Sequence, residues 1–140
     1  MSAFSVMLLV WNPAQPGEVE ELSAVVDLQS TFSWISRARL ERLVISPSRK
    51  MRFCLKGERI VERDVASVYI ALLDGPVGDL VVMAEAGEME RMGAHTVDGL
   101  GMVVDPVQRK LVPTVMWALS SIGDAVPETE DKDLRALARS

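Results

Sequence analysis

Asp27 is the residue whose setting most invites chemistry. It follows the β-branched pair Val25 and Val26 and precedes Leu28, Gln29, Ser30 and Thr31, so a strand-like run ends on an acid with two hydroxyls close behind. Such a carboxylate has two uses: it accepts backbone N–H bonds within a turn, or it serves a substrate as acid or base. The other reactive side chains stand alone. His95 is the single histidine and Cys54 the single cysteine. One thiol cannot close an intrachain disulfide, and a lone Cys with a lone His cannot build a four-ligand zinc site. His95 therefore reads as a surface or packed histidine. Cys54, near Met51 and Phe53 in a strand, reads as a buried thiol. Neither a metal nor a cofactor is implied.

Composition limits the partners. The chain has 140 residues, 49% of them apolar, which suits one domain able to bury roughly 70% of its unfolded surface. Fifteen Lys and Arg against 20 Asp and Glu give a net charge of -5, the wrong sign for a phosphate backbone, so nucleic acid is not an expected partner. Residues 4–11 are apolar but lack a basic flank and fall well short of the ~20 residues of a membrane span, so they read as a buried strand and no membrane partner is expected. The unpaired thiol suits a reducing, cytoplasmic setting.

The elements that must position Asp27 follow from patterning. Residues 5–11 predict a strand, residues 12–17 (Asn-Pro-Ala-Gln-Pro-Gly) a loop, and residues 21–27 a second strand ending at Asp27. Residues 35–44 predict a short helix, stopped by Ser46, Pro47 and Ser48. A hairpin follows: residues 51–55, a turn at Lys56, Gly57 and Glu58, then a long strand over 59–73. A turn at 74–78 leads to a strand over 79–84. Residues 93–100 predict a second short helix closed by Gly101, with strands over 102–105 and 111–119 beyond it. Asp105 before Pro106 reads as a turn former. Trp11, Trp34 and Trp117 are expected to fill the core or an interface. The domain is placed at residues 1–123, with a charged tail at 124–140.

Two stretches carry more than fold class. Residues 25–35 (Val-Val-Asp-Leu-Gln-Ser-Thr-Phe-Ser-Trp-Ile), continued by Leu40, Glu41, Arg42 and Leu43, resemble the active-site strand and loop of the retropepsin-like aspartic proteases. There an apolar pair precedes Asp-Thr-Gly-Ala-Ser/Thr, and a Leu-Glu-x-Leu-Gly segment follows. Residues 92–106 (Met-Gly-Ala-His-Thr-Val-Asp-Gly-Leu-Gly-Met-Val-Val-Asp-Pro) resemble that family's Leu-Leu-Gly-Ala-x-Thr-Leu-Glu-x-Leu-Gly-Leu-x-Val-Asp-Pro ending, continued by Lys110, Leu111, Val112 and Pro113. Between them, Lys56, Gly57 and Glu58 fall where the family carries a Gly-bearing flap tip.

The resemblance implies an all-β acid-protease barrel with one or two short helices, assembled as a two-fold homodimer. In that family one chain supplies one acid, and the symmetry mate supplies its partner. Two carboxylates then share one proton and activate water for peptide hydrolysis. It implies Asp27 as the catalytic acid, with Leu28, Gln29, Ser30, Lys56, Gly57 and Glu58 against a peptide or protein substrate. The departures lie at the motif itself, where Thr and Gly have become Leu28 and Gln29. Leu28 cannot make the hydrogen bonds by which the family's Thr clamps the two loops together, and Gln29 fills space that a glycine leaves open. Two readings stand beside each other: a peptidase weakened or lost, and a non-catalytic dimeric peptide-binding module. An unrelated small β-barrel is the third.

Overall fold

A computed structural model describes residues 3–72 and 75–115. Along them run β1 (Ser5–Asn12), β2 (Gln15–Val26), β3 (Ser33–Ser36), α1 (Arg37–Arg42), β4 (Arg49–Leu55), β5 (Arg59–Ala71), β6 (Val77–Ala84), β7 (Arg91–Met92), α2 (Ala94–Gly99), β8 (Met102–Asp105) and β9 (Lys110–Pro113). The fold is all-β with two short helices, as expected. Residues 116–140 lie outside the description, and with them Trp117, the charged tail and the last four residues of the strand expected over 111–119.

Seven strands form one sheet in the order β1-β2-β7-β3-β6-β5-β4. A further pairing, Leu9 opposite Ala71 to Trp11 opposite Tyr69, joins β1 to the end of β5 and closes six of the strands into a ring. β4 stands outside the ring. It pairs with the first half of β5, from Arg49 opposite Val65 to Leu55 opposite Arg59, and its other side is an edge among the described residues. β8 and β9 form a separate hairpin, whose turn Asp105 holds by accepting N–H bonds from Val107 and Gln108.

Alternation explains the core. Leu8 and Val10 of β1, Leu22 and Ala24 of β2, and Ala66, Val68 and Ile70 of β5 point into the ring with Ile35, Val81 and Met83. β6 is buried from Val81 to Ala84 because both its faces are covered. Val82 and Ala84 turn to a second cluster with Trp34 and Val65, against which Phe32, Met51, Phe53 and Leu55 pack.

Several expectations need correction. The loop expected over 12–17 shrinks to Pro13 and Ala14, since β2 begins at Gln15 and pairs back along β1. Residues 33–36 are strand where helix was expected from 35 onward. Trp34 and Ile35 pair in parallel with β6 and are buried, so tertiary pairing overrides a helical spacing. Cys54 is exposed rather than buried. With period 2, Met51, Phe53 and Leu55 take the packed face of β4 and Cys54 must take the other.

Candidate functional site

The Asp27 loop joins β2 to β3, yet these strands are not neighbours, because β7 lies between them. β2 and β7 run parallel, with Val25 opposite Arg91 and Val26 opposite Met92. The loop therefore wraps over the junction between β7 and α2. Asp27 N–H donates to the Met92 carbonyl at 2.9 Å, and the Ser30 and Thr31 carbonyls accept from Ala94 and His95 at 2.8 and 2.9 Å. Ser30 Oγ donates to the Phe32 carbonyl at 2.6 Å. Gly93 lies directly beneath the loop. A Cβ there would sit 2.7 Å from the Ser30 carbonyl oxygen and closer still to the Phe32 carbonyl, so only glycine lets the two backbones meet.

A buried polar chain underpins this junction. Ser33 Oγ accepts from Gly93 N–H at 2.9 Å, and Ser33 and Thr96 hydroxyls lie 2.6 Å apart. Thr96 O–H donates to Asp79 Oδ2 at 2.5 Å, which spends its only proton, so Ser33 O–H must donate to Thr96. Asp79 Oδ1 accepts from Leu80 N–H at 2.8 Å and from His95 Nδ1–H at 2.9 Å. Each donor in the chain has an acceptor, and both carboxylate oxygens of Asp79 are used.

The two acids differ in access. The Asp79 side chain is 2% exposed, whereas that of Asp27 is 27% exposed. Asp79 is structural; Asp27 is the one a ligand can reach. Yet Asp27 is already occupied. Arg91 Nη1 donates to Oδ2 at 2.6 Å, and Gln29 N–H donates to Oδ1 at 3.1 Å.

Asp27 and Arg91 open into a cleft of about 550 Å³ between the loop and β4. Phe32 and Trp34 line it from the loop and β3, and Arg52, Phe53, Cys54, Leu55 and Lys56 line it from β4 and the turn that follows. Phe32 and Phe53 meet edge to face at 6.3 Å between ring centroids, and Trp34 and Phe53 at 5.5 Å, giving the cleft a firm aromatic wall. Five consecutive residues line one side because the cavity runs beside a strand edge, not over one face.

A clamp of charge ties the end of β3 and the start of α1 to the residue before β7. Glu90 Oε2 accepts from Ser36 N–H at 2.9 Å and from Arg39 Nε at 2.9 Å, and Oε1 accepts from Arg39 Nη2 at 3.0 Å. Burial pushes the Glu90 carboxyl up, but the Arg39 and Ser36 hydrogen bonds, with the charges of Arg39 and Arg42, outweigh it and leave it below the usual glutamate value. Hydrogen bonds from Arg42 and then Arg39 likewise outweigh burial at Glu20 and leave it lowered. α1 is thereby tied to β2 and to the start of β7.

The cleft brings together Asp27, Gln29, Ser30 and Lys56 of the expected site residues. Leu28, Gly57 and Glu58 are not among its lining residues. Leu28 is half exposed, and Gly57 and Glu58 form the hairpin tip. Sequence reasoning missed Arg91, Asp79 and the aromatic wall. Arg91 did carry a signal, since the resembled pattern has Leu-Leu-Gly where this chain has Arg91, Met92 and Gly93. Among the described residues, no cluster of three or more His, Cys, Asp or Glu side chains could hold a metal ion. No helix there is long and apolar enough to cross a membrane. Compared with known proteins, the chain matches no family profile and no curated protein.

Proposed function

We propose that this chain is a retropepsin-like domain, an acid-protease barrel working as a two-fold homodimer, that holds an extended peptide and has largely lost the power to cut it. The observation that carries this reading is the Arg91 guanidinium on Asp27. In a working dyad two acids a few ångströms apart offset their repulsion by sharing a proton, and water sits between them. Here a fixed cation supplies that countercharge, and both oxygens of Asp27 already accept hydrogen bonds. Held by that cation, the carboxylate stays ionised without a second acid and has no proton to share.

Binding is favoured by what remains. Among the described residues β4 presents a free edge along the cleft, so a peptide can add to the sheet through its backbone while its side chains alternate between the cavity and solvent. The exposed apolar side chain of Leu28 beside Asp27 offers a dimer contact where the family uses a polar clamp. The exposed thiol of Cys54 suits a reducing, cytoplasmic setting.

The test is a cleavage assay on a broad peptide library at acidic and neutral pH. Wild type is expected to cut no faster than Asp27→Asn. The triple change Leu28→Thr, Gln29→Gly and Arg91→Leu is expected to raise cleavage by about a hundredfold or more, and Asp27→Asn added to it should abolish the gain. Robust wild-type cleavage lost in Asp27→Asn would make the chain a peptidase. A folded triple variant that stays inert would sink this account of the defect.

A further inference from the structure

We propose that the cleft selects acidic peptides, specifically extended segments with two carboxylates four residues apart; this rests on the peptide-binding reading above. The chain as a whole carries -5, yet the charged residues lining the cleft are three cations, Arg52, Lys56 and Arg91, and one anion, Asp27. Arg91 is matched by Asp27. Arg52 and Lys56 take part in no ion pair among the described residues, although most of the chain's other described arginines do. Glu62 stands opposite Arg52 in the β4–β5 register without pairing with it, and it does not line the cleft. The cleft is thus a local positive site on an acidic protein, and its free countercharge faces the strand edge where a peptide would lie.

Spacing sharpens the inference. Arg52 lies on β4 and Lys56 opens the turn just past Leu55, four residues on, and both line the cleft; in an extended ligand rising ~3.3 Å per residue, side chains four residues apart lie ~13 Å apart on one side of the chain. A peptide pairing with β4 places its own residues i and i+4 on that same side and at that same interval. A pair at i and i+3 would put one carboxylate on the opposite face. Intervening side chains meet Phe32, Trp34 and Phe53, which suits apolar residues between the acids. Selectivity by charge and register follows, with backbone pairing common to every ligand.

Fluorescence anisotropy of labelled peptides of about nine residues, otherwise Val and Thr, tests this on the full chain. One probe carries Glu at i and i+4, one Glu at i and i+3, one Gln at i and i+4, and one Lys at i and i+4. The first is expected to bind about tenfold tighter than its Gln counterpart, and the gap to close at high salt and in Arg52→Gln/Lys56→Gln. Those two positions are exposed, so the double variant is expected to fold as wild type does, which circular dichroism checks. Equal affinity for Glu and Gln probes, tighter binding of the Lys probe, or indifference to spacing would overturn the selectivity while leaving peptide binding intact. No binding by any probe would overturn both readings.

Discussion

The floor of the cleft is tied down by backbone bonds, a buried polar chain and a carboxylate clamp, whereas its β4 wall is held along one side and carries its charges into solvent. At the floor, Gly93, Ser33, Thr96 and Asp79 are linked hydrogen bond by hydrogen bond, and the loop they support leaves Asp27 little freedom. At the wall, β4 pairs with β5 alone among the described residues, and Arg52, Cys54 and Lys56 are exposed at the cleft. A site meant for catalysis needs both parts held to a fraction of an ångström. A site meant for binding needs a rigid floor and a wall that can accept another strand. The difference between the two regions favours binding.

The comparison breaks first at the floor. Gly93→Ala would drive a methyl against two carbonyls that cannot retreat, because each belongs to the loop that Gly93 supports. The expected loss is about 3 kcal/mol or more, read by chemical denaturation. Asp79→Ala strands the buried Thr96 hydroxyl and removes the partner of His95, for an expected loss of about 2–4 kcal/mol. Arg52→Gln on the wall should stay within about 0.5 kcal/mol of wild type. A floor substitution as mild as the wall substitution would show that the buried chain does not anchor the loop.

How much of this could be read from the sequence follows the same division. Long strands with alternating residues were legible: β1, β5 and the interior of β6 follow from their apolar spacing. β7 was not, since Arg91 and Met92 are too few for any period and are strand only because β2 and β3 flank them. Asp27 could be singled out by its place after Val25 and Val26. Its partner lies 64 residues away, and no local pattern couples the two. Asp79 was legible as the start of a strand, but its role depends on Thr96 folding back onto it. The strand at 33–36 was lost to a helical spacing that parallel pairing with β6 overrides.

A smaller effect separates the regions by pH. The Glu90 carboxyl is held below its usual value of 4.5, so it binds fewer protons folded than unfolded near that pH. Its contribution is fully present above about 4.5 and is lost as pH falls through the lower folded value. Glu90→Gln is therefore expected to cost about 1–2 kcal/mol at neutral pH and to converge with wild type in acid. Glu20 and Glu88, also lowered, push the whole molecule the same way. Parallel curves for wild type and Glu90→Gln across acid pH would mean that the clamp carries no charge-dependent stability.

The smallest expected effect compares two residues forced into left-handed backbone. Val44, at φ 59°, ends α1, with its own N–H on the Glu41 carbonyl and the Ile45 N–H on the Leu40 carbonyl; Glu58, at φ 62°, follows Gly57 at the hairpin tip. Both conformations suit glycine better, and the cost is larger for a β-branched side chain. Val44→Gly relieves strain in a helix end that Asn12 also holds through the Leu43 and Val44 carbonyls, so it should raise global stability by about 1 kcal/mol. Glu58→Gly relieves about 0.5 kcal/mol in a hairpin that opens locally, so it should slow hydrogen exchange near the tip with little change in the unfolding midpoint. If Glu58→Gly instead shifts the midpoint as far as Val44→Gly, wall and floor unfold as one unit, and the wall is not free to yield to a ligand strand.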